Sequence, residues 1–167
     1  PVNWTKVLKQ VCKDLEDPLS SVESFRITPF VADEMNLLSD DELPRFLFHR
    51  YRYEVSPIAY LLDDYPPYLQ IEPSSICNYR CVFCYQTDEK FSEKKSVHMG
   101  SMGLDLYKNI VDAAEGNIEF LSLASRGEPL ICRDFTGMME YSIGKFLNLK
   151  VNTNASLMTE AHCHALL

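Results

Sequence analysis

The chain has 167 residues, of which 46% are hydrophobic and 24% are charged, and its formal net charge is −8. This length accommodates one domain, or one domain with an appendage, and the composition is typical of a globular protein. The acidic balance argues against nucleic acid as a partner, because binding to phosphates needs a basic surface. No segment approaches the ~18 consecutive apolar residues of a membrane-spanning helix. A peptide or a small molecule is therefore the expected substrate.

Residues 1–66 are predicted to form an N-terminal extension that is mainly helical. An apolar series at helical spacing runs from Trp4 to Leu15, which predicts an amphipathic helix. The dipeptide Asp17-Pro18 then ends the pattern, because the residue before a proline avoids the helical conformation. The sequence of this extension indicates no particular function.

Two further signals lie in the second half of the extension. The run Ser39–Glu42 has the pattern of a capping box, and Pro44 is expected to limit any helix that begins there. Tyr51, Tyr53 and Val55 alternate with charged residues. This alternation predicts a short, half-buried strand.

From Tyr68 onward the pattern changes to strands that alternate with helices. Strands are predicted at 68–72, 118–123 and 149–152, with helices at 104–114, 135–146 and from Thr159 to the last residue. Asp134 is a plausible N-cap for the second of these helices, and Gly116 is placed to end the first. Alternating strands and helices predict parallel pairing with right-handed crossovers, and hence an α/β fold.

Three cysteines follow the first of these strands closely. Cys77, Cys81 and Cys84 stand four and three residues apart in one loop, which we call the cysteine loop (Cys77–Cys84). A [4Fe–4S] cluster normally takes four thiolates, so three leave one iron with an open coordination position. Thiolates that bind iron need a reducing compartment, so a cytoplasmic location is expected.

A structural zinc site is the alternative interpretation of these thiols. Zinc prefers four closed ligands, usually in two pairs, and His98 is a possible fourth ligand. The alternative to an enzyme is therefore a non-catalytic interaction module, stabilised either by zinc or by an iron–sulfur cluster. The other cysteines, Cys12, Cys132 and Cys163, are isolated and are expected to be buried apolar groups.

The cysteine loop resembles that of the radical S-adenosylmethionine (radical SAM) enzymes, which reads C-x-x-x-C-x-aromatic-C. Phe83 fills the aromatic place, and Asn78 and Arg80 also fit common choices of that family. The resemblance implies that SAM occupies the open iron. It also implies that an electron from the cluster, supplied by a reductant such as flavodoxin or ferredoxin, cleaves SAM into methionine and a 5′-deoxyadenosyl radical. That radical abstracts a hydrogen atom from the substrate. No catalytic residue of the protein itself is assigned.

A turn after the second predicted strand resembles the family's G-G-E-P motif, which contacts the amino group of SAM. Gly127, Glu128 and Pro129 match the motif, and Arg126 replaces its first glycine. The resemblance implies that Gly127 and Glu128 bind the cofactor, and Arg126 is a candidate for the SAM carboxylate or a substrate anion. The same three residues also occur in ordinary turns.

The segment Asn152–Ala155 resembles the T-N-G element at the end of the family's third strand, with alanine at the place where glycine is common. The resemblance implies that Asn152 or Asn154 bonds the methionyl group or the ribose. It also places Phe83 near the adenine, with Tyr85 lining the same pocket.

The resemblance implies a fold as well. Residues 67–167 are expected to be the N-terminal half of a partial (β/α) TIM barrel, with its first three βα units visible. The last strand would leave an unpaired edge, so completion by residues outside this chain is expected. Parts of the sequence look similar to the SPASM-type branch, whose members often modify peptides.

Overall fold

The computed structural model describes residues 3–17, 24–93 and 97–167. The chain divides into two compact units. One, which we call the N-terminal unit, comprises Pro1–Tyr68 and Gly116–Phe120. The other, which we call the cysteine-loop unit, comprises Leu69–Glu115 and Leu121–Leu167.

Helices make up the regular structure described for the N-terminal unit: α1 is Trp4–Glu16, α2 is Pro29–Met35 and α3 is Leu43–Ile58. The helical apolar series that begins at Trp4 is confirmed. Asn3 caps α1 by accepting a hydrogen bond from the backbone amide of Lys6 at 3.0 Å. The ring of Trp4 stacks on that of Phe48 at 3.8 Å, so α1 packs against α3. Of the stop signal Asp17-Pro18, Pro18 lies outside the described residues.

The predicted strand at Tyr51–Val55 is wrong, because this segment lies inside α3. The alternation of apolar and charged residues there is accidental. The buried positions Phe48, Arg52 and Val55 recur at helical spacing. Pro44 does not shorten the helix, because it lies in the first turn, where backbone amides have no partner within the helix.

Arg52 organises the centre of the N-terminal unit. Its side chain is buried, with its guanidinium over the ring of Phe48 at 4.9 Å. The guanidinium donates to the carboxylate of Asp63 at 3.0 Å, to the carbonyl of Asn117 at 2.9 Å and to the carbonyl of Tyr65. These bonds join α3 to the segment that follows it and to Asn117, which lies 65 residues after Arg52.

The strands are β1 (Leu69–Ile71), β2 (Phe120–Leu123) and β3 (Asn148–Val151). Over the described ranges they form a three-stranded sheet in the order β1-β2-β3. β1 and β2 are parallel, with Leu69 opposite Leu121 and Ile71 opposite Leu123. All three predicted strands are confirmed: β1 and β2 are shorter than expected, and β3 has the expected length but begins one residue earlier.

The helices of the cysteine-loop unit are α4 (Glu89–Ser92), α5 (Leu104–Ala114), α6 (Phe135–Ser142) and α7 (Glu160–Leu166). Thr159 caps α7 as predicted, and Gly116, with φ at +75°, follows the end of α5. Asp134 stands at the N-cap position of α6, but its carboxylate accepts instead from the backbone amide of Leu104 at 3.1 Å.

The apolar core of this unit lies between the helices and the sheet. Its fully buried members are large side chains of α5, α6 and β2: Tyr107, Val111, Leu121, Leu123, Phe135 and Met138. A mixed α/β architecture with a parallel strand pair is therefore confirmed. Closure into a partial TIM barrel stays a prediction, as does the division into an extension at 1–66 and a catalytic core at 67–167. Among the described helices, none is both long and apolar enough to cross a membrane.

Candidate functional site

The cysteine loop follows β1 after a short bridge. Ser74 and Ser75 are buried, and the backbone amide of Ser75 donates to the carbonyl of Gly100 at 2.9 Å. Gln86 lies just past the loop and is also buried. Its side-chain amide donates to the carbonyls of Ser75, at 2.8 Å, and Arg126, at 2.6 Å. The two ends of the loop are therefore fixed to each other and to the turn after β2.

The three thiols are half-buried, and none of them is paired in a disulfide. The backbone amide of Cys84 donates to the carbonyl of Cys81 at 2.8 Å, so these two cysteines share one turn. The sulfur of Cys77 accepts a hydrogen bond from the backbone amide of Tyr79 at 3.4 Å. Within residues 3–17, 24–93 and 97–167, no group of three His, Cys, Asp or Glu side chains converges as ligands of a single metal ion.

The turn after β2 packs directly against the start of the cysteine loop. The backbone amide of Glu128 donates to the carbonyl of Ile76 at 2.8 Å. A Cβ atom at Gly127 would lie 1.8 Å from the carbonyl oxygen of Ser74, a distance that no side chain tolerates. Glycine at 127 is thus required by the close approach of two backbones.

Arg126 is engaged by Glu72, at the carboxyl end of β1. Its guanidinium makes two hydrogen bonds to that carboxylate, at 3.0 and 3.1 Å, and its backbone amide makes a third at 2.9 Å. Partial burial pulls the pKa of Glu72 upward, but the hydrogen bonds from Arg126 and Ser125, together with the charge of Arg126, outweigh it and lower the pKa overall. In this conformation Arg126 is paired within the protein.

Glu128 is only 2% exposed. Its carboxylate accepts hydrogen bonds from the backbone amide of Leu130 at 3.0 Å, from the hydroxyl of Thr153 and from the backbone amide of Asn154 at 2.7 Å. The carboxylate therefore joins the turn after β2 to the loop after β3.

Asn154 continues this connection to the cysteine loop. Its side-chain amide donates to the side-chain oxygen of Asn78 at 3.0 Å and approaches the sulfur of Cys77 at 3.9 Å. Asn78 in turn donates to the hydroxyl of Ser156 at 2.8 Å. The loops after β1, β2 and β3 thus meet at Cys77 through one hydrogen-bonded network.

The remaining predicted cofactor residues lie outside that network. Phe83 is 90% exposed, and Asn152 is exposed, with its backbone amide donating to the carbonyl of Leu123 at 3.2 Å. Tyr85 is 42% exposed, makes an edge contact with Phe91 at 5.8 Å and has a raised pKa because of desolvation.

Sequence reasoning missed Glu72, Gln86 and Thr153 as members of this arrangement. Glu72 had a signal, because it follows a predicted strand at the edge where active sites of parallel sheets gather. Thr153 lies in the segment that resembles the T-N-G element, but no role was assigned to it. Gln86 had no signal, since only folding brings it to its partners. Of the isolated cysteines, Cys132 is buried as expected, whereas Cys12 and Cys163 are exposed.

Comparisons with known proteins place this geometry in context. No family model matches the chain. An S-adenosylmethionine-dependent nucleotide dehydratase from Selenomonas ruminantium is 30% identical over 84 residues, which cover 49% of this chain and 27% of the dehydratase. A tungsten-containing aldehyde ferredoxin oxidoreductase cofactor-modifying protein from Pyrococcus furiosus is 30% identical over 95 residues, covering 56% of this chain and 25% of that protein. The chain therefore matches about a quarter of the length of these curated relatives.

A solved structure, BtrN in complex with AdoMet and 2-DOIA, resembles the chain with a TM-score of 0.51 and 23% identity, covering 63% of this chain and 42% of that one. This likeness concerns the fold, and it agrees with the mixed α/β architecture described above. The two sequence relatives support a radical SAM-like relationship for the chain.

Proposed function

We propose that this chain is part of a radical SAM enzyme, with a [4Fe–4S] cluster bound by Cys77, Cys81 and Cys84. One observation carries the proposal: the loops after the three strands are hydrogen-bonded together at Cys77, through Asn154 and Glu128. Active sites of parallel α/β sheets form from such loops at the carboxyl ends of the strands. Two relatives that depend on SAM or modify a cofactor add support from sequence.

The donor set fits an iron–sulfur cluster better than a single ion. In a cluster each thiolate binds its own iron, so the three sulfurs do not need to converge on one point. Zinc needs its ligands at ~2.3 Å from one centre, and no such group of ligands occurs in the described part of the chain. The three thiols of the cysteine loop are half-buried, so each is partly accessible to iron.

The residues proposed to bind SAM are the positions that the sequence resemblance selected: Phe83, Tyr85, Arg126, Gly127, Glu128, Asn152 and Asn154. They belong to the cysteine loop and the residue after it, to the turn after β2 and to the loop after β3. When bound, the cluster and SAM supply one-electron reductive cleavage of SAM and hydrogen abstraction from a substrate. This chain contributes the thiolates, the backbone surface at Gly127 and exposed aromatic and amide groups beside them.

We further propose that the substrate is a small molecule or a peptide and that the electron comes from a reductant such as flavodoxin or ferredoxin. The acidic net charge of −8 supports a partner other than nucleic acid. The relatives named for a nucleotide dehydratase and a cofactor-modifying protein favour a small molecule. A cytoplasmic location stays a prediction.

The test is anaerobic reconstitution of the full chain with iron and sulfide, followed by metal analysis and electron paramagnetic resonance of the reduced protein with and without SAM. We expect about four irons per chain, a reduced-cluster signal that changes on adding SAM, and 5′-deoxyadenosine as a product. Replacing Cys81 with alanine should abolish the cluster. Replacing the exposed Cys163 with alanine is the matched control and should leave iron content unchanged.

A different result would favour the zinc module instead. In that case the protein is colourless, holds one zinc per chain after purification, takes up no cluster and unfolds on chelation. A cluster whose electron paramagnetic resonance signal does not change when SAM is added would also overturn the proposal, because SAM is proposed to bind the open iron.

A further inference from the structure

The buried carboxylate of Glu128 is held in one place by its donors. Leu130 belongs to the same turn as Glu128, whereas Thr153 and Asn154 belong to the loop after β3. Buried acceptors are costly to leave unpaired, so each of these bonds constrains both partners. The position of the loop after β3 is thereby set from the turn after β2.

The side chain of Asn154 has one allowed orientation. Its oxygen accepts hydrogen bonds from the backbone amide and the hydroxyl of Ser156, at 2.9 and 2.7 Å. The nitrogen must then face the other way, toward the oxygen of Asn78 and the sulfur of Cys77. A flipped amide would set its nitrogen against the backbone amide of Ser156, which is also a donor.

We propose that Glu128 is a positioning residue that acts through Thr153 and Asn154, and that the side-chain amide of Asn154 is a hydrogen-bond donor to the sulfur of Cys77. This role differs from direct contact with a cofactor, because it operates in the ligand-free chain. Its consequence for a cluster rests on the proposed function: a hydrogen bond to a ligand sulfur stabilises the reduced, more negative cluster and so raises its potential.

Two substitutions at Thr153 distinguish the contribution of its hydroxyl group from that of its side-chain shape. Thr153→Val keeps the shape but removes the donor to Glu128, whereas Thr153→Ser keeps the donor. Glu128→Gln is a second probe. Its side-chain NH₂ group would replace one of the two carboxylate oxygens and would face the backbone amide of Leu130 or that of Asn154. Two hydrogen-bond donors would then meet where the carboxylate accepted a bond.

The first experiment is hydrogen–deuterium exchange of the ligand-free full chain under anaerobic conditions. We expect Thr153→Val and Glu128→Gln to raise exchange at least threefold in residues 77–80, where Tyr79 donates its amide to the sulfur of Cys77. Thr153→Ser should match the unmodified chain. Exchange in α5 is the internal control and should not change, which separates local release from general unfolding.

The second experiment measures the potential of the reconstituted cluster in Asn154→Leu and in a control variant. Because Asn152 is itself a proposed SAM residue, the control for the size of the effect is Asn148→Leu, the same substitution at an exposed position of β3. We expect the ratio of reduced to oxidised cluster at a fixed potential to fall about threefold in Asn154→Leu, for loss of one hydrogen bond, with no loss of iron. The control variant should leave the potential of the cluster unchanged.

The outcomes decide each part separately. Unchanged exchange at residues 77–80 in both Thr153→Val and Glu128→Gln overturns the positioning role, as does equal exchange in the valine and serine variants. An unchanged potential in Asn154→Leu overturns the hydrogen bond to the sulfur. If the unmodified chain takes up no cluster, the proposed function fails, and the exchange experiment alone decides the positioning role.

Discussion

The backbone of Gly127 lies against the backbone of Ser74 so closely that a Cβ atom at 127 would stand 1.8 Å from the Ser74 carbonyl oxygen. This contact joins the turn after β2 to the segment that leads into the cysteine loop. Its neighbours strengthen it, because Glu128 donates its backbone amide to the carbonyl of Ile76 at 2.8 Å. The glycine is therefore a packing requirement of this edge of the sheet, whatever ligand it meets.

Replacing Gly127 with alanine should force the two backbones apart. We expect the free energy of unfolding to fall by about 3 kcal/mol or more, in the range of severe overpacking, and the reconstituted chain to lose iron. Gly100→Ala is the matched control, because nothing lies within 4 Å of a Cβ atom there. Urea denaturation of both variants measures the difference, and equal stabilities would contradict the steric argument.

Ala155 has φ at +59°, a left-handed conformation that suits glycine better than alanine. Ala155→Gly should therefore stabilise the folded chain by about 0.5–1 kcal/mol, after the extra entropy of glycine in the unfolded chain is included. Ala161→Gly, at an exposed position of α7, should instead lower the free energy of unfolding, because glycine weakens a helix. Thermal and urea unfolding compare the two. A destabilised Ala155→Gly variant would show that this conformation is not maintained.

Arg52 should be hard to replace even by lysine. Lysine keeps the charge, but a single ammonium group cannot reach Asp63, Tyr65 and Asn117 together. We expect Arg52→Lys to lower the free energy of unfolding by about 2–4 kcal/mol, as for other broken buried networks. Arg133→Lys, at an exposed position, should change it by less than about 0.5 kcal/mol. A similar small effect at both positions would contradict the role given to Arg52.

His49 predicts a dependence of stability on pH. Burial is the main cause that lowers its pKa to about 4, with smaller contributions from Arg50 and Arg52, although its bond to the Pro67 carbonyl acts the other way. The ring stacks on that of Phe120 at 3.7 Å. Because the folded pKa lies below the unfolded value of 6.5, the unfolded chain binds the proton first as pH falls.

The stability that neutral His49 provides is therefore present above pH 6.5 and is lost as pH falls toward 4. The loss is expected to be about 3 kcal/mol. His49→Phe keeps the stacked ring but cannot take up a proton, so its stability should fall less over this range. Urea denaturation at pH 7, 5.5 and 4.5 measures both proteins. Parallel curves for the two would show that His49 is not the group responsible.

Local patterns were sufficient for most elements of the fold. The apolar spacing of α1 and α5 and the short apolar runs of the strands predicted those elements correctly, because each is determined by which residues one face must bury. The failure at Tyr51–Val55 has a physical cause. Over five residues an accidental alternation outweighed the longer helical spacing of Phe48, Arg52 and Val55, and the burial of Arg52 gives no signal in a sequence.

The spacing of Cys77, Cys81 and Cys84 and the Gly-Glu-Pro turn are properties of the sequence itself, and they suffice to suggest a chemistry. The tertiary structure decided which groups are engaged: Arg126 with Glu72, and Glu128 with Thr153 and Asn154. A hydrogen bond depends on distances between loops that are 25 to 77 residues apart along the chain. Such distances follow from how the strands pack side by side, which the order of residues in any one loop does not contain.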